Sequence, residues 1–109
     1  MSAAADSLGM ALVAREELAV ALEAPMVEAD KHVPALQGQS REARKYRAAR
    51  HRYAQALADY QCERTALAMR RVDSARQSWA YAEWAIICGA PTAQVEARRA
   101  AMAKPAGDK

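Results

Sequence analysis

From Arg41 to Cys88 the chain contains no glycine, no proline and no asparagine. The residues that usually punctuate a helix are missing over that whole span. What fills it is rich in Ala, Arg, Gln and Glu, which lose least on entering a helix. The absence therefore predicts one long helix over about 41–88, continuous or kinked, and an all-α architecture.

Phenylalanine is absent altogether, and Trp and Tyr together number six. Hydrophobic residues make up 52% of the chain, but about half of them are alanines, which bury little area each. The expected core is thin. A domain of 109 residues buries only about 60–70% of its unfolded surface. A long helix with so few large side chains is expected to recruit a second copy, most simply as a homodimer.

Soft metal ligands are scarce: His32, His51, Cys62 and Cys88 are all there are. None pairs with another at i+3, i+4 or C-x-x-C spacing, so no metal site and no cofactor is expected. On a straight helix the two cysteines would stand about 39 Å apart, out of reach of a disulfide unless the chain reverses between them. No apolar run approaches the roughly 18–20 residues that span a bilayer, so no membrane partner is expected. The N-terminus meets acids early and has no basic leader, which argues for a cytoplasmic protein. No nucleophile elbow, P-loop or H-E-x-x-H is present. Glu16, Glu17, Glu23 and Glu28 read as surface charge on an acidic helix rather than as catalytic carboxylates. The expectation is not an enzyme.

What is present is a strong polarity of charge. Residues 1–40 carry six acids against Arg15 and Lys31, a net −4, whereas residues 41–71 carry nine Arg and Lys against three acids, a net +6. Two such halves attract each other, within one chain or between chains.

The first helix is expected over about 7–33, with Asp6 or Ser7 as its N-cap. Its stripe of Leu8, Leu12, Ala19, Leu22, Met26, Ala29 and Val33 keeps phase across Pro25, where a kink or restart is predicted. Val33-Pro34 ends the element, because the residue before proline is pushed out of the helical region. Residues 35–39 read as a loop, and Ser40 as the next N-cap. Tyr46, Tyr53, Tyr60 and Leu67 then recur every seven residues as a buried or oligomeric seam. Val72, Ala75, Trp79, Ala82 and Ile86 form a second seam out of step with the first. The slip implies a stutter or a break. A break would fall at Asp73-Ser74, where Gln77 completes an S-x-x-Q capping box, but no Gly or Pro stands there, so continuity is expected. Gly89 is the expected left-handed cap, followed by a short helix over about 93–103 and a frayed tail over 104–109. The fold predicted is a small helical bundle, its first helix antiparallel to the long one and the short C-terminal helix near the Trp-rich end.

The residues singled out for function lie in two groups. Arg44, Lys45, Arg47 and Arg52 belong to a basic arc that begins at Arg41; only Arg50 of that region lies beside the tyrosine stripe. Trp79, Tyr81 and Trp84 belong to a segment apolar nearly all round, which something must enclose. The two groups point to binding without chemistry. The expected partner is another protein with an acidic surface, anchored by the aromatics and steered by the arginines. The alternative is nucleic acid held by the basic arc through phosphate contacts, although aromatics on the same helix face away from that arc. Motif-free helical chains of this size are common among phage accessory proteins, inhibitors and assembly adaptors.

Overall fold

A computed structural model describes residues 3–103, with side chains described from Val13 onward. The expected tail and the side chains of Leu8 and Leu12 lie outside the described residues. Five helices follow in order: α1 (Ala3–Asp30), α2 (Pro34–Gln37), α3 (Arg41–Glu63), α4 (Ala66–Ile87) and α5 (Thr92–Ala103). No strand occurs among the described residues, so the fold is the all-α bundle that the missing breakers predict.

The predicted long helix does not exist as one piece. It reverses at Arg64-Thr65, and the molecule measures 56 × 33 × 27 Å, shorter than the roughly 70 Å of a continuous helix. Arg64 takes the left-handed conformation (φ 51°, ψ 40°) and its N–H donates to the Tyr60 carbonyl. Thr65 is extended, and its hydroxyl accepts from the Ala68 N–H at 3.0 Å. An arginine in that conformation is uncommon and costs about 1–2 kcal/mol. Its guanidinium lies 6.0 Å from the Tyr60 ring centre, a contact that offsets part of the strain. The candidate break at Asp73-Ser74 is overturned as well, since both residues lie inside α4.

Other boundaries differ in detail. α1 begins at Ala3, ahead of Asp6 and Ser7, and stays helical through Pro25. Ala21, whose carbonyl loses its donor to the proline ring, and Pro25 itself are both exposed, so the freed carbonyl is on the solvent side of the helix. Val33 is extended, as a residue before proline must be. The expected loop at 35–39 is mostly the short turn of α2. Ser40 caps α3 as expected, accepting from the Ala43 N–H at 3.0 Å. Gly89 is no left-handed cap: its φ lies outside that region, and its N–H bonds to the Ile86 carbonyl.

α3 is the central element. α1 runs antiparallel along one side of it, with Asp30 opposite Tyr46, Glu23 opposite Arg50 and Arg15 opposite Asp59. α4 folds back along α3, and Tyr53 stacks on Trp79 with centroids 5.2 Å apart. α1 and α4 touch each other far less than either touches α3, and α5 packs mainly on α1 rather than at the Trp-rich end. Small side chains allow this close approach: Ala19 and Ala29 of α1, Ala54 and Ala58 of α3 and Ala68 of α4 are all buried. The larger core lies at one end, where Val33, Leu36 and Tyr46 are fully buried and Ile86 and Ile87 pack against them. Burying a side chain such as Leu36 stabilises the fold by about 1.5–3 kcal/mol.

Candidate functional site

The basic region of α3 is divided by the fold into a buried part and an exposed part. The buried part is organised by Asp30, a carboxylate with no solvent exposure at the last residue of α1. A negative charge at a helix C-terminus opposes the helix dipole, so it needs strong partners. It accepts from Tyr46 Oη at 2.7 Å, Arg50 at 2.7 Å and Arg98 at 2.8 Å. Arg98 also donates to Tyr46 Oη at 3.1 Å and to Glu83 at 2.6 Å. Arg50 also donates to Glu23 at 2.8 Å, and the other oxygen of Glu23 meets His51 Nδ1 at 2.9 Å. One cluster thereby joins α1, α3, α4 and α5.

The cluster sets the ionisation of its members. Burial pushes the Tyr46 hydroxyl well above its ordinary range, and the neighbouring Asp30 charge pushes it the same way. Burial favours the neutral forms of Arg50 and Arg98, but bonds to Glu23 and Asp30 outweigh it at Arg50, bonds to Asp30 and Glu83 outweigh it at Arg98, and both are held more firmly charged. Burial raises Glu23, and bonds from His51 and Arg50 more than reverse this, holding it below the usual carboxylate range. Removing one partner from such a set costs about 3–5 kcal/mol, whereas an apolar set of similar volume is often no less stable. The cluster is best understood as fixing which helices meet and in what register.

Arg47, one of the arginines singled out for binding, is also occupied. It donates to the carbonyls of Leu36 and Gly38 at 2.8 Å each, satisfying groups that the short α2 leaves open at its end. Trp79, likewise singled out, stacks on Tyr53, and its indole N–H is buried without a partner among the described residues. Both are structural.

The exposed part is a groove of about 370 Å³ between α3 and α4, lined by Lys45, Ala49, Arg52, Gln77, Ser78, Tyr81 and Ala82. Tyr81 is 73% exposed, and Trp84, one turn further along α4, is 65% exposed. Lys45 and Arg52 form no ion pair among the described residues. Arg44 is exposed but does not line the groove. The expectation that aromatics face away from the basic arc holds for Tyr46, which is buried. It fails for α4: the reversal at Arg64 carries Tyr81 back alongside Lys45 and Arg52. The structure thus brings together Lys45, Arg52 and Tyr81, leaves Trp84 exposed one turn along α4 outside the groove lining, and withdraws Arg47 and Trp79.

A second groove, about 530 Å³, lies between α1 and α3 and is lined by Arg15, Glu16, His51, Gln55 and Asp59 among others. Its polar groups are largely partnered, Arg15 with Asp59 and Glu63 and His51 Nδ1 with Glu23. No group of three or more His, Cys, Asp and Glu among the described residues is arranged to hold a metal ion. Cys62 and Cys88 are free and exposed. No described helix is long and apolar enough to cross a membrane.

Asp30 and Arg98 were missed as organising residues, and the chain offers almost no signal for them. For Arg50 there was one, its place beside the tyrosine stripe, where a solvated cation has no reason to sit. Searches against protein-family models, curated proteins and solved structures found no match for the chain.

Proposed function

We propose that the chain is a non-catalytic, cytoplasmic helical module that docks another protein with an acidic surface through the α3/α4 groove, in the manner of a phage accessory or inhibitor protein or an assembly adaptor. The observation that carries this reading is the exposure of Tyr81 beside two cations with no ion pair among the described residues, and of Trp84 one turn further along α4. Covering both rings removes roughly 250 Å² from water, on the order of 6 kcal/mol before the costs of association. Tyr and Trp are the side chains most often found at the energetic centre of interfaces, while rim cations act mainly on encounter rate and specificity.

The test is an affinity capture from the native host with the wild-type chain and a Tyr81→Ala/Trp84→Ala variant of unchanged helicity as baits. A specific protein captured by the first and lost by the second is expected. Equal capture by both sinks the reading.

A nucleic-acid reading keeps one supporting feature, the stacking surface that Tyr81 and Trp84 add beside Lys45 and Arg52. It is weakened because Arg47, Arg50 and His51 are committed to bonds within the molecule. Arg41, Arg44, Lys45 and Arg52 are left for phosphates, so binding would be weak and steeply salt-dependent. A gel shift at low salt that vanishes at high salt would favour this second reading; no shift at low salt removes it.

A further inference from the structure

The groove presents cations and an exposed aromatic ring, and one surface of the same molecule has the complementary character. On the outward side of α1, Val13 and Val20 are 54% and 64% exposed. Val27 continues the seven-residue spacing. Two shallow hollows run along this line, one formed by Val13, Glu16, Glu17 and Val20, the next by Val20, Glu23, Ala24, Val27 and Glu28. At about 100° per residue Glu17 and Glu28 fall on one stripe with these valines, three helical turns or about 16 Å apart. Glu28 pairs with Lys31 at 2.8 Å, an exposed contact worth little that an incoming arginine can replace. On α3 the exposed cations repeat that interval. Arg41 and Arg52 are also eleven residues apart, with Lys45 on the same stripe, again about 16 Å end to end. An acid-flanked valine stripe and a cation-flanked aromatic groove thus share sign complementarity and axial spacing. The stripe lies on α1 and the groove between α3 and α4, on the far side of α3, since α1 and α4 scarcely touch each other.

We infer that the α3/α4 groove is occupied by a second copy of this chain, whose α1 lies in it with Val20 and Val27 against Tyr81 and Trp84 and with Glu17 and Glu28 against the cations of α3. The contact joins two different surfaces. Two copies can therefore satisfy it reciprocally, or successive copies can extend it head to tail. This rests on the reading of the groove as a docking surface and names its occupant.

Charge reversal separates the two halves of the contact without touching the buried cluster. Lys45→Glu/Arg52→Glu blocks the groove and leaves α1 intact, while Glu17→Lys/Glu28→Lys blocks α1 and leaves the groove intact. Light scattering at high protein concentration and low salt should find the wild type associated and each double variant monomeric. An equimolar mixture of the two variants, whose reversed surfaces complement each other, should restore association with the two variants in 1:1 ratio, which added salt dissociates. A monomeric wild type, variants that still associate alone, or a mixture that stays monomeric each overturns the inference. A monomeric wild type that still captures a host protein through Tyr81 and Trp84 would leave the docking groove standing with a foreign occupant.

Discussion

Arg50 and Arg52 stand two residues apart on one helix, and the molecule treats them as different substances. Arg50 is buried among α1 and α3, with bonds to Asp30 and Glu23. Arg52 lies exposed at the edge of the groove, with no ion-pair partner among the described residues. Two residues along a helix turn the side chain through about 200°, which here separates the interior from solvent. The aromatics divide in the same way, Trp79 stacked on Tyr53 and Trp84 presented outward. Two regions of similar composition thus carry opposite duties. The buried cluster specifies the fold, and the groove keeps exposed cations and an exposed ring with no bonding partner among the described residues. Charge and aromatic content alone do not distinguish a site from a structural clasp; partners do.

The sharpest way to break the contrast is Asp30→Ala. It strands Arg50 and Arg98 in the interior, and urea denaturation should show a loss of about 3–5 kcal/mol. For a domain of marginal stability that is a large share of the total. A loss below about 1 kcal/mol would mean that the cluster is solvated and no different from the groove. Tyr46→Phe is milder, about 1–3 kcal/mol, because it removes one hydroxyl from a buried bond network.

The pH dependence sharpens the same comparison. Tyr46 is held above its ordinary pKa, so its contribution is complete below about pH 10 and is lost as the pH climbs towards the raised folded value. The wild type should lose stability in alkali by a step that Tyr46→Phe lacks. Glu23 is shifted the other way, so its contribution is present above about pH 4.3 and is lost as the pH falls through its lowered folded value. Glu23→Gln should flatten that acid limb in denaturation midpoints measured across the range. Charge changes at Lys45 or Arg52 should leave both limbs where they are.

Smaller effects follow. Arg64→Gly should raise stability by up to about 1 kcal/mol, since glycine adopts the left-handed conformation without strain. A decrease would show that the guanidinium contact with Tyr60 matters more than the backbone. Least of all, Arg52→Ala and Tyr81→Ala should move thermal stability by no more than about 0.5 kcal/mol while weakening docking.

Much of the architecture was legible in the chain. Val33-Pro34 and Ser40 marked real boundaries because each acts through its own backbone or its nearest N–H groups. The reversal was harder to see. Asp73-Ser74 carries a capping pattern yet lies inside α4, whereas Arg64-Thr65 carries only a threonine cap and an arginine in a conformation that residue rarely takes. The slip between the two seams did signal a break, but it falls between Leu67 and Val72, past the actual turn, because Leu67 belongs to α4 and is exposed rather than part of the α3 seam. For the candidate site, Lys45, Arg52, Tyr81 and Trp84 were identifiable by type, but Arg47 and Trp79 could not be set apart from them without their partners.

By itself the sequence determined what acts over a few residues: helical content, the cap at Ser40, the thin alanine-rich core and the opposite charge of the two halves. These follow from local propensity and composition, which need no knowledge of distant neighbours. Only the tertiary structure decided which cations are spent and which are free. Asp30 and Arg98 are 68 residues apart in the chain, and their pairing exists only once α1, α3 and α5 have met. The reversal at Arg64 likewise set Tyr81 beside Lys45 and Arg52, a juxtaposition created by chain folding and absent from any single helix.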